Sequence, residues 1–412
     1  MTRMRLTTAA LLAALLAGAC STMPPETPEE RKAGLSVPEC QPAAAPAGFA
    51  VRLLGEASDR GLHNVVVSPA GIETALAIAA EGSSDALRLA LARLFTEEDT
   101  KTPWMPGCRL AAMHEAAEAD GGVELAIVAE AFADRKIVLR PAFRAALEER
   151  FDATAERLDF SGDGAARRIN GWVRRGTGGR VAHLVDRLDP EDMLVLASAV
   201  HFRGTWARAF DPALTQLRPF RLASGGTVWT SAMLSEELPA RYRENGEFQA
   251  VELGYGDGGF EFTAVLPREG LGPADALVRL AADPGWLAGR GYRKARGRLV
   301  LPRIDLESRA GLLPALKRLG LAEALEDRDV FARMAEPAPA LGRVLHAAKL
   351  ALDERGTEAT AATAAVFATR AAIEELDSFE MVVDRPFALA VRRTGVGLLF
   401  AAWVADPGTE KR

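Results

Sequence analysis

Residues 353–370 read DERGTEATAATAAVFATR, and the fold turns on how this stretch is read. From Gly356 to Ala365 every residue is Gly, Thr, Ala or the single Glu358. Alanine favours helix, so one reading is an Ala-rich surface helix. The Thr residues cut that propensity, and such a helix lacks an apolar stripe to dock with. Residues Val344 to Leu352, directly before it, carry the apolar run of a strand. Read with a period of two, Thr357, Ala359, Ala361, Thr363 and Ala365 share one uncharged face. Glu358, Thr360, Ala362 and Ala364 share the other, which carries the only charge. A strand of small side chains can slide between two existing strands without a large steric barrier.

Outward from this segment the chain alternates patterned stretches with single Gly and Pro. Ser68-Pro69 is a helix start, a hydroxyl cap followed by Pro at the first helical position, with Ile72, Leu76 and Ala79 on one face. Helices are expected after Ser84 (Leu87, Leu91, Leu94), from Pro141 (Phe143, Leu147, Phe151) and around Ala165, Ile169, Trp172 and Val173. Another is expected over Leu312 to Leu319, stopped by Gly320. Strands are expected over Leu125 to Asp134, Phe248 to Leu253, Phe260 to Leu266, Leu299 to Leu306 and Phe387 to Val391. Met193 to Phe202, MLVLASAVHF, is the run of a strand buried on both faces. Helices dominate the first half and strands the second, so the class is α+β rather than a regular βαβ alternation. Neither an internal repeat nor a second composition class divides the body.

The 412 residues suffice for a large core, and 49% hydrophobic with 26% charged residues is an ordinary globular balance. The net charge of −6 argues against nucleic acid as a partner. Five His and three Cys leave little for a metal cluster; no metal site and no cofactor is expected. Gly254-Tyr255-Gly256-Asp257-Gly258-Gly259 spells GxGxxG, but Phe260 to Leu266 after it reads as a strand. A dinucleotide loop opens a helix, so this is a hairpin turn. His114-Glu115 begins a zinc-protease motif, whose second His is replaced by Glu118. No nucleophile elbow is present, and nothing local assembles a triad. A secreted hydrolase with scattered catalytic residues stays the remote alternative; the chain is read as not an enzyme.

The start, MTRMRLTTAALLAALLAGAC, has a basic end at Arg3 and Arg5 and an uncharged run from Leu6 to Ala19. That is an export signal over residues 1–19, and it is too short for a standard spanning helix. Ala17-Gly18-Ala19-Cys20 resembles a bacterial lipoprotein cleavage site, although Ala17 replaces the larger aliphatic residue usual there. Residues 20–48 are a Pro-rich tether. A cysteine directly before a flexible tether is what a lipid anchor needs. The expectation is an exported protein, lipid-anchored at Cys20 to the bacterial cell envelope (the outer membrane if Gram-negative). Its only membrane contact would be that anchor, and free secretion is the alternative. Cys40 and Cys108 form either one disulfide, which export favours, or two unpaired thiols.

Several stretches, in order, resemble one family. Asp353-Glu354-Arg355-Gly356-Thr357-Glu358-Ala359-Thr360-Ala361-Ala362-Thr363 resembles the hinge of the reactive loop of inhibitory serpins. Asn64-Val65-Val66-Val67-Ser68-Pro69 is similar to the start of that family's second helix. Ile169-Asn170-Gly171-Trp172-Val173, then Thr177, Gly178 and Leu188-Asp189, is similar to another of its motifs. Leu194 to Phe202 with Arg203-Gly204-Thr205-Trp206 resembles its central strand and following turn, and Asp384-Arg385-Pro386-Phe387 resembles its C-terminal motif. The resemblance implies one serpin-like domain over 49–408, with helices on three mainly antiparallel or mixed sheets. The reactive loop would run over about 354–379.

The resemblance also implies a function: irreversible suicide inhibition of a serine protease. The protease cleaves the loop and forms an acyl-enzyme, and the loop inserts as a new strand of the main sheet, a use of stored strain for which serpins are a standard example. The family register puts the cleaved residue sixteen positions after Glu354, so the bond is Arg370–Ala371; a loop shorter by one residue moves it to Thr369–Arg370. Arg at the bait position suits a trypsin-like target, with the inhibitor acting as a monomer. Ser68, Ser198 and His346 fall in the region that opens when the sheet expands. Gly71 and Ser198 depart there from the usual Ser and Asn, and Thr360 replaces a more usual Ala. A non-inhibitory serpin serving as a binding or scaffold protein is the alternative function. A charge or Pro among Thr357, Ala359, Ala361 and Thr363 would favour it, and none is present.

Overall fold

The computed structural model describes residues 47–96, 104–357 and 377–408. Helix α1 (Ala47–Ala57) leads through β1 (Val65–Val67) to α2 (Pro69–Glu81), α3 (Asp85–Thr96) and α4 (Pro106–Ala119). Strand β2 (Val123–Asp134) and the short β3 (Val138–Leu139) precede α5 (Pro141–Phe151), β4 (Ala155–Leu158) and α6 (Gly164–Gly176). Next come β5 (Leu194–Thr205), β6 (Gln216–Arg221), β7 (Thr227–Glu244), β8 (Phe248–Tyr255) and β9 (Phe260–Pro267). Helix α7 (Pro273–Ala282) is followed by β10 (Arg293–Pro302), β11 (Ile304–Gly311) and the short α8 (Leu313–Leu316) and α9 (Ala322–Glu326). The chain ends with β12 (Ala335–Glu336), β13 (Leu341–Asp353), β14 (Gly356–Thr357), β15 (Asp377–Val382), β16 (Phe387–Arg393) and β17 (Gly397–Val404).

Local chemistry sets the helix starts. Ser68 accepts the Gly71 amide at 3.1 Å and caps α2, with Pro69 in its first turn. Pro106, Pro141 and Pro273 open α4, α5 and α7 in the same way.

Three sheets form. The main sheet runs β11-β13-β14-β5-β2-β4, with β13 also paired directly to β5. The second runs β1-β17-β16-β9-β8-β7-β10-β15, and β6 adds to β7. The third is β12 with β3. Strand β5 is buried on both faces, as its apolar run requires. Val195, Ala197 and Ala199 pack with Leu345 and Ala347 against Ile169 and Val173 of α6. Val200 and Phe202 face the opposite way, into the core shared with Trp206, Tyr255, Phe262 and Leu350.

One expected element changes. The single strand over Leu299 to Leu306 is two strands in two sheets. Pro302 pairs with Ala232 of β7, Arg303 donates its amide to Ser231 at 2.8 Å, and Ile304 then pairs with Leu352 of β13. Pro302 has no N–H to carry a ladder onward, and the chain turns from one sheet into the other at Arg303. The helix expected over Leu312 to Leu319 is present, as α8 and the wider helical turn that follows it, and it stops at Gly320 as expected. Gly320, at φ +114°, kinks the chain, and α9 continues beyond it.

Candidate functional site

The hinge begins where β13 ends. Asp353 accepts the amides of Arg355 (2.8 Å) and Gly356 (3.2 Å) through one carboxylate oxygen, which folds residues 353–356 into a tight turn. Gly356 has φ +149°, and a Cβ there would lie 1.9 Å from the Gly204 carbonyl oxygen, so only glycine fits. The turn delivers β14 between two strands. Leu352 of β13 pairs with Thr357 on one side, and Gly204 of β5 pairs with Thr357 on the other, both antiparallel.

The turn is pinned from below. The indole N–H of Trp206 donates to the Asp353 carbonyl at 2.9 Å, and the Trp206 amide donates to the Arg355 carbonyl at 2.8 Å. The Phe210 amide donates to the Glu354 carbonyl at 2.8 Å. The Glu354 carboxylate is buried, accepts from Arg303 Nε at 2.9 Å and is hydrogen-bonded by the Thr215 hydroxyl. Burial alone would raise this carboxyl, but the Thr215 and Arg303 hydrogen bonds outweigh it and hold it below the usual range. Thr357, fully buried, meets the Tyr255 hydroxyl at 2.5 Å.

Below the hinge the sheet is closed. Strands β13 and β5 pair in parallel from Leu341↔Leu194 to Ala348↔Val200, and β14 occupies the space where they part. His346 sits in this seam opposite Ser198. Its Nε2 accepts the Ser68 amide at 2.9 Å, which places the ring proton on Nδ1, where it donates to Ser198 Oγ at 2.9 Å. Burial pushes the imidazole down to about 3, so the ring is neutral.

The structure therefore brings Ser68, Ser198 and His346 together, and it places Glu354, Gly356 and Thr357 at the open end of the same seam. Glu358, Ala359, Thr360, Ala361, Ala362, Thr363, Arg370, Ala371, Cys20 and Cys40 lie outside the described residues. Cys108, near the start of α4, carries a disulfide. Among the described residues no group of three or more His, Cys, Asp or Glu could hold a metal ion. The sequence reading missed Arg303, Thr215 and Tyr255. Tyr255 lies inside the GxGxxG string, which forms the hairpin between β8 and β9.

The sequence profile of the family described as "Serpin (serine protease inhibitor)" matches residues 44–407. Serpin-ZX of Arabidopsis thaliana is 29% identical over 364 residues, covering 84% of this chain and 92% of that protein. Serine proteinase inhibitor 1 of Myxoma virus is 29% identical over 335 residues, 80% of this chain and 82% of that one. The solved structure of Arabidopsis AtSerpin1 in its native stressed conformation matches with a TM-score of 0.71 at 26% identity, covering 89% of this chain and all of that one. The chain belongs to the serpin family. Its α+β fold, helices packed on three sheets, is the serpin fold, and members of that family are mostly inhibitors of serine proteases rather than hydrolases.

Proposed function

We propose that this serpin is an irreversible inhibitor of trypsin-like serine proteases, acting as a monomer, with Arg370–Ala371 as the cleaved bond. The protease serine attacks the Arg370 carbonyl carbon. The peptide bond breaks, the new amine leaves on Ala371, and Arg370 stays esterified to the protease. The loop after Thr357 then enters the seam. The observation that carries this reading is β14: Gly356 and Thr357 are already paired on both sides between β5 and β13. Extending β14 replaces one parallel ladder by two antiparallel ladders, each at least as stable per residue. The small side chains of Ala197, Ala199 and Ala347 beneath α6 give the seam little to lose when it parts.

The test is incubation with trypsin followed by a denaturing gel. A covalent band of higher mass that survives boiling is expected, and Arg370→Ala should abolish most of it without disturbing the fold. Loop degradation with no such band at any ratio would refute inhibition. We further propose that Cys20 is lipidated and holds the inhibitor at the cell envelope. The basic start, the uncharged run before Cys20 and the Pro-rich stretch after it support this. One acyl chain binds a membrane only marginally, so several chains on Cys20 are required. Cys20→Ser should release the protein from the detergent phase or block its processing. Equal solubility and the same N-terminus for both forms would make it a freely secreted inhibitor.

A further inference from the structure

The β8–β9 hairpin is bound to the hinge through one residue. Tyr255 is fully buried, and its ring stacks on Trp206 with centroids 4.5 Å apart and planes 7° apart. Phe202 packs on it edge-on at 5.2 Å. These contacts leave the hydroxyl one direction, toward Thr357 Oγ1 at 2.5 Å. The backbone around the ring is equally fixed. The Gly256 amide donates to the Thr205 carbonyl at 2.8 Å, and the Ala207 amide donates to the Gly254 carbonyl at 2.9 Å. Asp120 accepts the amides of Gly122 (2.9 Å) and Asp257 (3.3 Å), tying the turn to the start of β2. Gly256 has φ +47°, and a Cβ there would meet the Asp120 carboxylate at 1.9 Å. The string that spells a nucleotide loop is thus a rigid mount for one phenol.

We propose that Tyr255 is a positioning residue for loop insertion, a latch that keeps Thr357 engaged between β5 and β13 before any protease arrives. Starting a strand is its costly step, because chain entropy is lost before the ladder forms. With Thr357 held, the first rung of the inserted strand exists in the intact inhibitor, and the cleaved loop has only to propagate. Insertion competes with hydrolysis of the acyl-enzyme, so the latch sets how many inhibitor molecules are consumed for each protease trapped. It leaves attack on the bait residue alone. The kinetic part of this inference rests on the inhibitory reading; the latch itself does not.

Tyr255→Phe keeps the stack on Trp206 and removes only the hydroxyl; Thr357→Val keeps the branched shape and removes the partner. For either variant the number of inhibitors consumed per trypsin should rise roughly two- to ten-fold, the range one hydrogen bond supplies, with the rate of loop cleavage unchanged. The double variant should be no worse than either single one. Deuterium exchange at Gly356 and Thr357 in the intact, unreacted protein should be slow in the parent and faster in both variants. Unchanged exchange in Tyr255→Phe overturns the latch, and so does an additive double variant. If the parent does not trap trypsin at all, the inhibitory reading fails, while the exchange measurement still decides the latch.

Discussion

His346 and Ser198 are cross-strand partners in the parallel seam between β13 and β5, with Nδ1 and Oγ 2.9 Å apart. This side-chain bond spans the line along which the main sheet must part if a strand enters. Both ring nitrogens are committed, Nδ1 to Ser198 and Nε2 to the Ser68 amide at the cap of α2. The imidazole therefore joins β13, β5 and α2 at one point. Ser198→Ala leaves a buried N–H without its acceptor, which costs about 1–3 kcal/mol. The urea midpoint should fall accordingly, and a midpoint equal to the parent's would show that the seam does not depend on this bond.

The same histidine makes stability depend on acid. Its native pKa is pushed by burial from 6.5 to about 3. The unfolded chain takes up a proton as pH falls below 6.5, and the native protein does not until near 3. The stabilisation is complete above 6.5 and is lost across that window, at up to about 1.4 kcal/mol per pH unit. His201, held down to about 4 by burial and then by the Arg180 charge, acts in the same direction. Glu73 and Glu252, raised by burial, act in the opposite one, because protonation relieves their desolvation. His346→Gln should flatten the fall in urea midpoint between about pH 6.5 and 5 relative to the parent. An identical slope would place the acid sensitivity elsewhere.

At the hinge the sign follows a carboxylate. Glu354 is held below 4.5 by Thr215 and Arg303 against the cost of burial, so its contribution is present above 4.5 and disappears as pH falls through the lowered value. Glu354→Gln keeps the shape and gives up charge-assisted bonds to Arg303, at a cost of about 1–2 kcal/mol at neutral pH. The difference in urea midpoint between the two proteins should shrink as pH falls through the parent's lowered value, because the parent's own carboxylate is then protonated. A gap that persists below that value would assign the cost to packing rather than charge.

The alternation of small, uncharged positions from Gly356 made a strand legible as far as β14 at Gly356 and Thr357, and the residues after Thr357 lie outside the described ones. The two-face burial of β5 was legible too, since MLVLASAVHF has no wet face. Strand β7 was not legible. Its eighteen residues pair with β6, β10 and β8 in turn, so its burial changes along the strand and no single period survives. Helix α4 was missed because only Cys108, Arg109, Met113 and Ala117 are buried, an irregular stripe that includes a charge. Arg109 is buried by its pair with Glu73 of α2, and such a pairing exists only once the helices meet. Arg303, Thr215 and Tyr255 share this limit: each reaches the hinge from at least 51 residues away in sequence.

Gly71, one of the two departures from the family pattern at the seam, has a physical partner in Val200. A Cβ placed on Gly71 would lie 2.6 Å from Val200 Cγ2, and also 3.5 Å from Ser68 Oγ and 3.6 Å from His346 Cε1. Val200 is fully buried on β5, and its branched side chain has few rotamers to escape into. Gly71→Ser, the residue usual in the family, should therefore destabilise this chain by about 1–3 kcal/mol through overpacking. Val200→Ala should cost about 1–3 kcal/mol on its own by opening a cavity. In the double variant the serine Cβ occupies the space the valine methyl vacates, so the two losses should largely cancel rather than add. Urea midpoints of the three variants measure this coupling. Additive losses would mean that α2 shifts to accommodate the serine and that Gly71 and Val200 are independent.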